Sequence, residues 1–116
     1  MTEPAVRPTL RVLHLEDSDL DHELAMVHLQ RAGLRVQAQR IESRAEFAAA
    51  LDGDWDLILS DYNLPGFSGL QALEMLRASG RVWPFILVSG EIGEDTAVEA
   101  MRNGASDYLL KNNLAR

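Results

Sequence analysis

A chain of 116 residues, 47% hydrophobic and 25% charged, has the size and composition of one compact domain with a buried core. Its net charge of −7 and isoelectric point near 4.8 argue against binding nucleic acid or an anionic membrane surface, since both reward clustered Lys and Arg. There is no cysteine for a disulfide or thiolate zinc site, no signal-peptide core, and no membrane-length apolar run, the longest (Val82 to Val88) containing Pro84; a cytoplasmic protein is expected.

Residues 1–9 hold two prolines and no periodic pattern and read as a flexible leader; one domain is expected over residues 10–116. Leu10 to Leu15 reads as a strand that ends abruptly in Glu16-Asp17-Ser18. Ser18 is placed to cap a first helix, with Asp21 as the reciprocal capping partner, an inner stripe of Leu20, Leu24, Ala25 and Val27, and Gly33 as the stop. Leu34 to Ile41 alternates as a half-exposed second strand. Ser43-Arg44-Ala45-Glu46 then supplies a capping box for a second helix through Leu51, closed by Gly53. A mostly apolar third strand, Trp55 to Ser60, leads to Asp61 and a Gly/Pro-rich turn from Asn63 to Gly69. The third helix, Gly69 to Ser79, carries Leu70, Ala72, Leu73 and Leu76 at helical spacing. Phe85 to Ser89 is too apolar to be half exposed and follows a tolerable Pro84. A fourth helix from Glu94 to Asn103 turns Ala97, Val98 and Met101 inward and stops at Gly104. The fifth strand, Asp107 to Leu110, runs into Lys111.

Strands alternating with helices predict a parallel sheet covered on both faces, and right-handed crossovers favour the strand order 2-1-3-4-5. All the strand ends then lie along one edge. Glu16 and Asp17, Asp61, Ser89 and Lys111 occupy four of those ends, with the crevice between strands one and three at the switch point. Two carboxylates about 5 Å apart repel by roughly 3 kcal/mol at an effective dielectric of about 20, so a cation is needed there. Oxygen-only ligands suit a hard divalent ion such as Mg²⁺. Lys111 and the Ser89 hydroxyl make sense as partners of a phosphoryl group on Asp61, with Asp61 as the nucleophile.

LHLEDS, LILSDYNLPGFSG, ILVSGE and DYLLK, in that order, resemble the acidic pair, phosphoacceptor stretch, switch hydroxyl, and switch aromatic with lysine of the response-regulator receiver domains of two-component signalling. The resemblance covers Leu10 to Leu114. It implies a flavodoxin-like, doubly wound five-stranded sheet and phosphoryl transfer from a phosphohistidine or small phosphodonor to Asp61, dependent on Mg²⁺ or Mn²⁺. It also implies that Asp17 binds the metal directly, Glu16 through water, and Asp61 and the backbone carbonyl of Asn63 as the remaining protein ligands. Ser89 and Tyr108 are implied as the switch pair, Lys111 as the partner of the acids or the phosphoryl group, and Glu91 and Asn63 as flanking residues that set rates. The implied partner is a histidine kinase or histidine phosphotransfer protein; direct nucleic-acid or membrane contact is not expected. Phosphorylation and dephosphorylation would be self-catalysed, with no external substrate turned over.

The chain departs from the family in three places. Glu16 stands where Asp is commonest. Asn112 follows Lys111 where proline is usual, so a trans peptide is expected there. Too few residues follow for the family's fifth helix. The chain is therefore read as a piece of a longer protein, with an attached kinase or output domain or a second copy covering an exposed apolar face beside helix one. Two alternatives stand beside this reading. An interaction-only degenerate receiver usually lacks an acid or the lysine, and a Mg²⁺-dependent phosphatase with an aspartate nucleophile would need an acid where Asn63 stands. His14 reads as a neutral core histidine, and His22 and His28 as solvated helix residues.

Overall fold

The computed structural model describes residues 9–90 and 94–111. In chain order the described elements are β1 (Thr9–Leu15), α1 (Asp19–Arg31), β2 (Arg35–Ile41), α2 (Arg44–Ala50), β3 (Leu57–Asp61), β4 (Asn63–Leu64) and β5 (Phe67–Ser68). They continue with α3 (Gly69–Ala78), β6 (Phe85–Ser89), α4 (Glu94–Arg102) and β7 (Asp107–Leu110). The first strand begins one residue earlier than predicted, at Thr9, which pairs with Arg35. Residues 1–8, Glu91 and the Lys111–Asn112 peptide lie outside the described residues.

Five strands form one parallel sheet in the order β2-β1-β3-β6-β7. This is the predicted order, and the architecture is the expected flavodoxin-like one. Alternation along the strands divides the core in two. Leu13, Leu15, Ile58, Phe85 and Leu87 point to one face, where they meet Phe47 of α2, Ala72, Leu73 and Leu76 of α3, and Ala100 of α4. Val12, Leu59 and Val88 point to the other face and meet Ala25 of α1. Three helices thus cover one side and α1 the other.

The helix starts are where the sequence puts them. Ser43 and Ser68 each accept a hydrogen bond from the backbone N–H three residues on, and Glu46 and Gln71 reach back to complete capping boxes. Two inner stripes are corrected. In α1, Leu20, Leu24 and Val27 are exposed, Leu20 by 65%, while Ala25 is buried. In α4, Val98 and Met101 are about half exposed, and Ala100 faces the sheet. In α1 the buried residue is Ala25, with Met26 packed beside it, and in α4 it is Ala100. Trp55 precedes β3 instead of starting it: its indole N–H donates to the Ala50 carbonyl (2.9 Å) and its ring lies in the core.

The turn after β3 is more ordered than its composition suggested. Asn63–Leu64 and Phe67–Ser68 pair antiparallel around Pro65-Gly66, and Gly66 takes φ +78°, as the second central residue of a type II turn requires. The Gly69 N–H donates to the Tyr62 carbonyl at 2.8 Å and brings α3 against the end of β3. A Cβ at Gly69 would stand 2.6 Å from the Asp61 carbonyl oxygen and against the Leu87 side chain. Only glycine fits this approach.

Candidate functional site

Parallel pairing carries four strand ends to one edge of the sheet. Glu16 directly follows β1, whose Leu15 is level with Ser60, and Asp61 closes β3 beside Val88. Ser89 closes β6 beside Leu110, and Lys111 directly follows β7. Backbone bonds from the Glu16 N–H to the Ile41 carbonyl (2.9 Å) and from the Tyr62 N–H to the Val88 carbonyl (2.9 Å) extend the ladder past the acids and fix them.

Glu16, Asp17 and Asp61 each offer a carboxylate oxygen within 4.8 Å of one another. Glu16 and Asp61 are buried and Asp17 is exposed. The Lys111 ammonium lies among the acids, 3.0 Å from Asp61 Oδ2, 3.1 Å from Glu16 Oε1 and 2.8 Å from Asp21 Oδ2. Burial, and then the Asp61 charge, push the Glu16 carboxyl up to about 7, against the pull of Lys111. Burial alone would lower the Lys111 ammonium, but its hydrogen bonds to Asp21, Asp61 and Glu16 outweigh this and hold it above the ordinary lysine value. One lysine among four carboxylates leaves a surplus of negative charge. The donors are all oxygen, so a hard divalent cation fits the three clustered acids.

Ser89 is buried and Tyr108 half-buried, on neighbouring strands, Tyr108 being level with Leu87. Asn63 opens the small hairpin two residues beyond Asp61, with its side chain exposed. Two site residues escaped the sequence reading. Asp21 was assigned to the helix cap, but only its backbone does that work, donating to Ser18 Oγ (3.2 Å) while its carboxylate turns to Lys111. Glu16 Oε2 takes the reciprocal bond from the Ser18 N–H instead, at 3.2 Å. Arg40, on the half-exposed strand β2, donates to the Glu16 carbonyl at 3.0 Å and pairs with Asp19 at 2.8 Å. Its signal was a cation one residue before a strand end level with the acids.

His14 is buried, and burial together with the nearby His22 lowers it to about 3, so it is neutral as expected. His22 is corrected: it is half-buried, and its Nδ1 lies 2.8 Å from His14 Nδ1, one ring donating and the other accepting. Ser60, to which the sequence assigns no role, donates from its buried hydroxyl to the Asp61 carbonyl at 3.0 Å.

A doubly wound parallel sheet with acids and a lysine converging at its carboxyl edge defines an α/β domain that works at its strand ends. Residues 12–115 match the family described as the response regulator receiver domain. The cell cycle transcriptional regulator CtrA of Caulobacter vibrioides is 32% identical over 102 residues, covering 88% of this chain and 44% of that protein. The transcriptional regulatory protein FixJ of Azorhizobium caulinodans is 35% identical over 103 residues, covering 89% and 48%. The chain thus spans somewhat less than half the length of these relatives. Among solved structures, the signal receiver domain of the response regulator NarL from Mycobacterium tuberculosis superposes with a TM-score of 0.77 over 92% of this chain and 90% of that one, at 23% identity. The chain belongs to the receiver domains of two-component response regulators.

Proposed function

We propose that Asp61 is the phosphoacceptor of a two-component relay, supplied by a histidine kinase, a histidine phosphotransfer protein or a small phosphodonor. The observation that carries this reading is the Lys111 ammonium 3.0 Å from Asp61 Oδ2, beside acids that cluster within 4.8 Å. An Asp61 carboxylate oxygen attacks the donor's phosphorus; the O–P bond forms as the P–N bond to the donor imidazole breaks, and that imidazole takes up a proton. In hydrolysis a water oxygen attacks the same phosphorus and the Asp61 carboxylate leaves. Lys111 donates to a phosphoryl oxygen, as a point charge that follows the transferred group. Asp17, Asp61, the Asn63 carbonyl and, through water, Glu16 would hold Mg²⁺ or Mn²⁺, which supplies positive charge against that group. Ser89 turns its hydroxyl toward the phosphoryl oxygen and Tyr108 follows, changing the surface of α4 and β7 that a partner reads.

Donor histidines belong to another protein or domain, since His14 is buried and hydrogen-bonded to His22. The exposed stripe Leu20, Leu24 and Val27 is the face that a second copy or an attached domain would cover. Incubation with acetyl phosphate and Mg²⁺ should add the mass of one phosphoryl group to the parent, removable by base, and none to Asp61→Asn. An unmodified parent would favour the interaction-only reading.

A further inference from the structure

The shortest of the three Lys111 contacts is made by an acid outside the metal cluster. Asp21 Oδ2 lies 2.8 Å from Nζ, against 3.0 Å for Asp61 and 3.1 Å for Glu16, and the Asp21 side chain is 37% exposed whereas the other two are 9% and 3%. Asp21 is not among the acids whose oxygens gather within 4.8 Å. A cation held by the clustered acids would share the two deep carboxylates with the ammonium, while Asp21 would be left to the ammonium alone.

We infer that Asp21 is the positioning residue of Lys111, holding its ammonium over the site when the deep carboxylates turn to the cation and the phosphoryl group. This rests on the phosphoacceptor reading above. A lysine has a long stem with several rotatable bonds, and an ammonium that loses both deep partners has no reason to stay. Asp21 keeps it there. The acid stands in the first turn of α1, whose start is fixed by the Ser18 cap and by Arg40 on Asp19. Its carboxylate is therefore carried on a firm support.

Asp21→Asn keeps the backbone N–H that caps onto Ser18 and removes only the charge. At saturating Mg²⁺ its rate constant for phosphorylation by acetyl phosphate, followed by intact mass, should fall by about two- to fivefold, the range set by losing one partly exposed ion pair. Its Mg²⁺ dissociation constant, from calorimetric titration, should stay within about twofold of the parent's, because Asp21 is not a ligand. Asp21→Glu, which restores the carboxylate, should recover most of the rate. An unchanged rate in Asp21→Asn would overturn the inference. So would a parallel loss of Mg²⁺ affinity, which would make Asp21 part of the metal site, or a rate that Asp21→Glu does not restore. A parent that takes up no phosphoryl group would instead remove the phosphoacceptor reading, and this one with it; a phosphorylated parent confines any failure to Asp21.

Discussion

Two buried titratable residues act in opposite directions on stability. His14 is held neutral, at about 3 against 6.5 in the unfolded chain, so its stabilisation is complete above 6.5 and is lost as pH falls toward 3. Glu16 is raised to about 7 from 4.5, so what it contributes is complete below 4.5 and is lost as pH rises through 7. Each changes stability by up to about 1.4 kcal/mol per pH unit over its window, and without divalent ions the two slopes offset each other between pH 6.5 and 4.5. Urea midpoints across that range should therefore vary little in the parent. His14→Gln removes the His14 part of the balance, while His22, also lowered by burial, still acts in the same direction; between pH 6.5 and 4.5 its stability should therefore gain relative to the parent's as pH falls. A midpoint that falls with pH as steeply in His14→Gln as it does below pH 4.5 in the parent would show that His14 carries no such load.

At the scale of elements, the junction of β3 with α3 is the tightest constraint on the site. A methyl at Gly69 meets the Asp61 carbonyl and the Leu87 side chain, and the first of these is backbone that cannot move without moving Asp61. Gly69→Ala should cost about 1–3 kcal/mol of unfolding free energy, the usual range for overpacking, read from urea denaturation. An unchanged midpoint would mean that α3 can shift freely. The sequence made this junction visible as an acid, a Gly/Pro-rich turn and an apolar helical stripe in succession, because those are local chemistries; the Ser68–Gln71 cap that starts α3 was not read from it. It likewise showed β1, β3, β6 and β7 by their apolar runs and the polar residues at their ends. The inward faces of α1 and α4 were only partly legible: Ala25 was on the predicted stripe and is buried, but periodicity marks Leu20, Leu24, Val98 and Met101 as equally apolar and does not single out Ala25 or Ala100 as the residues that meet the sheet. Asp21 and Lys111, 90 residues apart, were invisible as a pair for a related reason. Asp21 also satisfied a local rule, which hid its distant partner.

On the scale of the whole molecule, the two sides of the sheet are unequal. One side buries Phe47 of α2, Leu73 and Leu76 of α3 and Ala100 of α4, whereas the side carrying α1 closes over Val12, Ala25, Leu59 and Val88 and leaves Ile86 and Leu109 half-buried. The α1 stripe outside this smaller core should be nearly neutral for the isolated chain. Leu20→Gln with Val27→Gln should change unfolding free energy by no more than about 0.5 kcal/mol each while shortening retention on a hydrophobic column. A loss of several kcal/mol would show that these side chains are covered in solution. Among the described residues no helix is long and apolar enough to cross a membrane.

The lysine at the end of β7 also bears on the order in which the molecule assembles. Its three acidic partners lie on β3, at the end of β1 and in α1, so the ammonium cannot reach them until the last strand has joined the sheet. Until then, a sheet built from β1 and β3 brings Glu16 and Asp61 together with their charges uncompensated. In any such partly formed sheet the two carboxylates repel each other without the ammonium between them. Salt screening would weaken that repulsion, so the stability gained when β7 joins the sheet and brings Lys111 to these acids should depend on ionic strength.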